Sequence, residues 1–155
     1  MTALKSLLFL IMAPGMVAGY IPLVLLRRGS QLETGFFAYL AFPLWAAGGI
    51  ILLSSFWNFL IQGRGTPAPI DPPKELVVTG FYRYVRNPMY VGIFLILLGH
   101  FLWFQSIWLL VYMVIAFLTV HLFVTLYEEP TLKRTFGAAY EGYIKRVPRW
   151  IPKLR

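Results

Sequence analysis

Cysteine is absent from the chain. That excludes a disulfide framework, a thiolate metal site and a cysteine nucleophile. Histidine occurs twice, at His100 and His121, too few for an all-protein zinc site without carboxylate help, so no metal is expected. Charge is scarce as well. Of 155 residues, 13% are charged and 59% hydrophobic, about half the charge of an ordinary soluble domain. Long stretches carry none, which suits a bilayer, where an unpaired charge at the core is costly. The formal net charge of +8 would fit nucleic acid if it covered a folded surface. It sits instead in short segments flanking apolar runs, where basic residues orient membrane spans. The lipid bilayer is therefore the expected partner, and nucleic acid is not.

What is present is a set of long apolar runs. Residues 7–26 cover about 30 Å at a helical rise of about 1.5 Å per residue, enough for the hydrocarbon core. Lys5 precedes this run, and no small-x-small cleavage site is evident, so it reads as a retained first span. Pro14 and Pro22 predict kinks in it. Residues 36–61 form a second run, with Pro43 and the Gly48-Gly49 pair, where a neighbouring helix can come close. Residues 89–127 are too long for one span. Their single polar interruption, Phe104-Gln105-Ser106, predicts a hairpin of two short spans, 89–104 and 107–127. The fold expected is an all-α membrane protein, one domain over 1–155, with about four transmembrane helices and no internal repeat.

Two polar segments remain. Residues 62–88 begin rich in Gly and Pro and then turn aromatic, as an ordered surface cap would. Residues 128–155 carry a stripe at Leu132, Phe136, Tyr140, Tyr143 and Val147, spaced for one helical face. Pro130 suits the start of that helix and Pro148 its stop. Leu132, Phe136, Tyr140 and Tyr143 of that stripe read as core of the cap. With four spans, 12 of the 14 Lys and Arg residues fall on the side holding both termini and residues 62–88, and only Arg27 and Arg28 on the other. The positive-inside rule then puts both ends and the cap in the cytoplasm.

The cap segments bring two unusual stretches to one face. One is Gly80-Phe81-Tyr82-Arg83-Tyr84-Val85-Arg86-Asn87-Pro88-Met89-Tyr90-Val91-Gly92. The other runs from Glu128-Glu129-Pro130 through Phe136-Gly137, Tyr140 and Tyr143 to Val147-Pro148-Arg149-Trp150-Ile151-Pro152. Tyr, Trp and Arg serve as plain interfacial anchors in many membrane proteins, and two acids favour any helix start. The order here is more specific than anchoring requires. Pro88 pushes Asn87 to an extended backbone, and Asn87 then offers a donor and an acceptor to a ligand.

Taken together, these paired motifs resemble the isoprenylcysteine carboxyl methyltransferase family, related to the phospholipid N-methyltransferases, over about residues 74–152. The resemblance implies a multi-pass membrane enzyme that transfers a methyl group from S-adenosylmethionine to a lipophilic acceptor, a carboxylate or an amine. It implies a cofactor site on Lys74, Glu75, Leu76, Val77, Tyr82, Asn87, Pro88, Met89, Tyr90 and Glu128. Physically, Glu128 suits the cofactor's ammonium or ribose hydroxyls, and Tyr82 and Tyr90 suit its adenine or sulfonium. Arg86 would balance Glu128 or hold the cofactor carboxylate. Where the prenylcysteine enzymes carry an acceptor-binding Arg, this chain has Val124, so recognition of a prenylcysteine carboxylate does not carry over. His121 shares a helical face with Thr125 and Glu128. Either it meets the acceptor, as a ligand or as a base for an amine, or it makes a structural hydrogen bond. His100, Asn58 and Gln105 read as helix-packing or interfacial residues. A phospholipid-amine methyltransferase and a non-catalytic membrane protein on the same scaffold are the competing readings.

Overall fold

The computed structural model describes residues 12–27, 35–62 and 75–152. Lys74, the start of the first apolar run and most of the Gly- and Pro-rich segment lie outside them. Among the described residues the chain is all helix, turn and loop, with no strand. Five helices account for it: α1 (Met12–Leu26), α2 (Phe36–Gln62), α3 (Pro88–Phe104), α4 (Ile107–Phe136) and α5 (Ala138–Arg146). A short helical turn, Gly80–Arg83, precedes α3.

Helices α2 and α4 are each long and apolar enough to cross a membrane. Their outward side chains include Ile50, Leu53 and Trp57 on α2 and Ile115, Leu118, Leu122 and Leu126 on α4, all exposed. Such a continuous apolar surface belongs in a non-aqueous surround. Helices α1 and α3 are apolar but shorter. Buried Ala18, Leu52, Ile93 and Leu97 make the core of the bundle, with Tyr112 and Met113 of α4 against it.

The tightest contact joins α2 to α3, which run antiparallel. A methyl group on Gly48 would stand 2.7 Å from the Gly92 carbonyl oxygen, and one on Gly92 would stand 2.8 Å from the Gly48 carbonyl oxygen. Backbones meet here because neither residue carries a side chain. The next helix break falls at Gln105, which takes a left-handed conformation with φ 46°, and α4 starts after the buried Ser106.

Two prolines inside helices are handled in the same way. The residue before Pro22, Ile21, donates its N–H five residues back to Met16, and the residue before Pro130, Glu129, donates to Val124. Proline lacks the N–H and its ring crowds the carbonyl four residues back, so a wider π-type turn precedes each. The loosened Val17 carbonyl in the first turn accepts the Tyr112 hydroxyl at 2.9 Å, tying α1 to α4. Pro130 therefore does not begin a separate tail helix. Helix α4 continues through it to Phe136, and the break comes at Gly137, whose φ is 51°. The apolar stripe of the tail is split between α4 and α5 by that glycine. Its members still converge, with Tyr140, Tyr143 and Val147 packed against Leu132, Phe136 and Leu76.

Gly92→Ala should destabilise the protein by about 1–3 kcal/mol through overpacking against backbone. Gly49→Ala, which meets nothing within 4 Å, should be neutral or stabilising by up to about 1 kcal/mol. Thermal unfolding of the two variants in detergent checks the pair.

Candidate functional site

The site is assembled where the start of α3, the middle of α4 and the C-terminal segment meet. Gly80 opens the segment leading to α3 with φ 57°, and its Cα faces the Asn58 amide so closely that any side chain would collide with it. The positive φ is why glycine is favoured here. Thr79 donates to Gln62 at 2.6 Å, fixing the segment to the end of α2. Tyr82 is then buried, and its carbonyl accepts the Tyr143 hydroxyl at 2.7 Å. Burial pushes the Tyr82 phenol well above its ordinary range, and the nearby Glu128 charge adds to this. Burial also raises Tyr143 and pushes Tyr140 up to about 12. All three remain neutral hydrogen-bonding groups at physiological pH.

Asn87 and Pro88 are both buried, with Pro88 at the first position of α3, where its missing N–H costs nothing. Asn87 donates its side-chain N–H to the Arg149 carbonyl at 3.2 Å, and the Arg86 N–H donates to the Pro148 carbonyl at 2.9 Å. One turn into α3, the Tyr90 hydroxyl donates to Glu128 at 3.2 Å. This hydrogen bond joins the two motifs across 38 residues. Among the described residues Glu128 has no cationic partner.

Glu129, the next residue, has two. Arg149 grips it in a bidentate pair, with Nε at 2.7 Å and Nη2 at 2.8 Å. The Arg86 guanidinium adds a contact at 3.1 Å. Glu129 in turn holds Arg149 above the ordinary guanidinium range. Arg86 is thus paired to Glu129 rather than to Glu128, and Tyr140 packs beside it.

The clamp carries Trp150 inward. Its indole N–H donates to His121 Nδ1 at 3.1 Å. Its ring lies 5.5 Å from Phe117 and 6.4 Å from Tyr90, centroid to centroid. Phe117 also stacks on His121, with the two planes 23° apart. An aromatic path thereby runs from His121 through Trp150 and Tyr90 to Glu128.

Of the residues singled out from sequence, Tyr82, Asn87, Pro88, Tyr90, Glu128 and His121 come together here. Met89 packs against the bundle core and Leu76 against the tail cluster. Val77 is buried, Glu75 is exposed, and Lys74 lies outside the described residues. Val124 is fully buried within the π-type turn, so it presents nothing to a ligand. His100 sits among Trp45, Phe104 and the Ile96 carbonyl near the hairpin turn. A cavity of about 250 Å³ at the cap is lined by Val78, Arg83, Tyr143, Arg146 and Val147, none of them among the expected cofactor residues. Sequence reasoning missed Glu129, Arg149 and Trp150 as site-builders. The available signal was a second acid beside Glu128, facing two arginines that each neighbour a proline motif.

The sequence profile of the phospholipid methyltransferase family matches residues 36–139. The chain is 35% identical over 87 residues to a methanethiol S-methyltransferase of Crocosphaera subtropica, covering 52% of this chain and 30% of that protein. It is 38% identical over 80 residues to the protein-S-isoprenylcysteine O-methyltransferase of Schizosaccharomyces pombe, covering 51% of this chain and 34% of that one. The chain thus spans about a third of the length of these curated relatives.

Glu129→Gln should cost about 2–3 kcal/mol, somewhat under the figure for breaking a fully buried pair, since Arg149 is partly exposed. Tryptic cleavage of the tail in detergent should accelerate correspondingly. Lys133→Ala, which removes only the exposed pair with Glu141, should leave the cleavage rate unchanged.

Proposed function

The chain belongs to the phospholipid methyltransferase family, and from that premise we propose that it transfers a methyl group from S-adenosylmethionine to a lipophilic acceptor reached through the bilayer. In this reading α1, α2, α3 and the apolar part of α4 are four spans. Both termini and the segments 62–88 and 128–155 lie on the cytoplasmic side, in keeping with the distribution of Lys and Arg.

The observation that carries the reading is the Tyr90–Glu128 hydrogen bond between the two motifs. A part-buried carboxylate with one phenol donor and no cation among the described residues retains unused acceptor capacity. An ammonium group and ribose hydroxyls are what such a carboxylate accepts best, and S-adenosylmethionine has both. The donor set therefore fits that cofactor. Glu128 would take its polar end, Tyr90 and Tyr82 would border its flat or cationic parts, and the non-helical backbone at Leu76 and Val77 would offer amide groups. The chain Asn87-Pro88-Met89-Tyr90 keeps this wall rigid through its anchorage to the C-terminal segment.

When bound, the cofactor supplies a methyl group already activated on a sulfonium. The chain's own residues then have three tasks. They hold the methyl donor, they align an acceptor with it, and they keep water out of the enclosure. The aromatic side chains Trp150, Phe117 and Tyr90 make a water-poor surround beside the carboxylate.

S-adenosylmethionine should bind the detergent-purified protein in calorimetry, and Glu128→Gln should weaken it at least tenfold, about 1.4 kcal/mol. A monodisperse wild-type protein that binds no S-adenosylmethionine would overturn the reading. Wild-type affinity in Glu128→Gln would overturn the role given to that carboxylate.

A further inference from the structure

Among the described residues the His121 side chain makes one hydrogen bond, and it determines which ring nitrogen carries the proton. An indole N–H only donates, so the Trp150 contact at 3.1 Å makes His121 Nδ1 an acceptor. A neutral imidazole with Nδ1 as acceptor bears its proton on Nε2. At His100 the same logic does not decide, because Nδ1 there also lies 2.7 Å from the Ile96 carbonyl as well as near the Trp45 indole. No carbonyl competes for His121 Nδ1 among the described residues.

We propose that His121 is an acceptor-positioning hydrogen-bond donor, locked as its Nε2–H tautomer by Trp150, and that it is not the base of the reaction. This rests on the methyl-transfer reading above and extends it to the acceptor side of the same site. The placement supports the role. His121 lies two turns toward the membrane from Glu128 on α4, partly buried, in contact with Trp150 and Phe117. Trp150 in turn packs against Tyr90, which holds Glu128. His121 therefore stands at the lipid end of the enclosure whose cytoplasmic end is the cofactor carboxylate.

The chemistry follows from the tautomer. An acceptor lone pair forms the new bond to the methyl carbon as the carbon–sulfur bond breaks, its electron pair remaining on sulfur. An anionic acceptor becomes neutral and releases no proton. A neutral amine acceptor leaves as its methylated ammonium and gives up the proton to water outside the enclosure, because His121 Nδ1 is occupied by the indole and Nε2 already bears hydrogen. The donated Nε2–H meets an oxygen or sulfur of the acceptor and holds its lone pair in line. Trp150 is a positioning residue in this scheme, acting through the imidazole, and the Glu129–Arg149 clamp sets Trp150 in place.

Two substitutions distinguish a donor from a base. His121→Gln keeps an N–H near the Nε2 position and has no basic nitrogen, while His121→Leu keeps bulk alone. Methyl transfer from radiolabelled S-adenosylmethionine would be measured with three probe acceptors: a farnesyl thioether carboxylic acid, dodecanethiol and phosphatidylethanolamine vesicles. With whichever probe the wild type methylates, His121→Gln should stay within about threefold of wild type. His121→Leu should raise the KM for that acceptor at least tenfold, with S-adenosylmethionine affinity unchanged. Nitrogen-15 NMR of the labelled protein in detergent, assigned by the loss of a signal in His121→Gln, should show the Nε2–H tautomer. Trp150→Phe should release that preference, a change that a merely structural tryptophan would not produce. Equal loss in the Gln and Leu variants would identify a base and overturn the proposal, as would an Nδ1–H signal in the wild type or no effect of either substitution. A wild type that binds S-adenosylmethionine but methylates none of the three also overturns it. A wild type that does not bind S-adenosylmethionine at all overturns the parent reading instead.

Discussion

A single carboxylate, that of Glu129, fixes the position of everything that surrounds the site. It receives one guanidinium from the segment before α3 and another from the segment after α5, so two stretches remote in sequence converge on one point of α4. The bidentate Arg149 pair is the geometry in which an ion pair is strongest. Partial burial lowers the effective dielectric around it and raises the cost of leaving any partner alone. The backbone then follows the side chains. Asn87 bonds the Arg149 carbonyl and Arg86 bonds the Pro148 carbonyl. The clamp and these two backbone bonds together hold Trp150 against His121, since the segment that carries it belongs to no helix.

The π-type turn before Pro130 explains how adjacent acids serve different purposes. Successive residues on a regular helix point about 100° apart, and a wider turn alters that angle locally. Glu128 is thereby directed toward Tyr90 on α3, and Glu129 toward the two arginines. A proline in the interior of a helix normally breaks or kinks it. Here the wider turn accommodates the ring, and the helix runs on into the cap. The same device at Pro22 frees a carbonyl for Tyr112, so in both places the irregular turn coincides with a side-chain contact that orders the bundle.

Much of this was legible from residue order. The all-helical class follows from apolar runs with few charges, and the pairing of an Asn-Pro-x-Tyr stretch with a Glu-Glu stretch pointed to Tyr90 and Glu128, which do meet. Helical-face counting reached its limit at Pro130. A regular 3.6-residue period assigns Arg86 no preference between two neighbouring carboxylates, and only the local widening of α4 settles the choice for Glu129. The continuation of α4 to Phe136 was hidden for the same reason, since a proline after two acids is also what a new helix start looks like. Gly137 was the better indicator of a break, because a positive φ is where glycine is favoured. Trp150 lay beyond reach. Aromatic residues near a membrane boundary are expected as anchors, and nothing in the order Val-Pro-Arg-Trp states that the indole turns inward.

The enclosure built this way is unusual in what it lacks. Val124 is buried and apolar, and both arginines nearest the site are committed to Glu129. Around His121, the contacts are Trp150 and Phe117, with Tyr90 the next ring along. No free guanidinium among the described residues is held there to pair with an acceptor's charge. In the proposed reading, recognition at that end rests on shape, on aromatic surface and on hydrogen bonds. This arrangement has a physical advantage at the edge of a bilayer. An unpaired guanidinium would be costly to keep out of water there, whereas an imidazole already bonded to an indole has one ring nitrogen satisfied. In the proposed reading, the site would meet a lipophilic acceptor without storing a desolvated charge. The charges that shape it are neutralised against one another about two helical turns away, at Glu129.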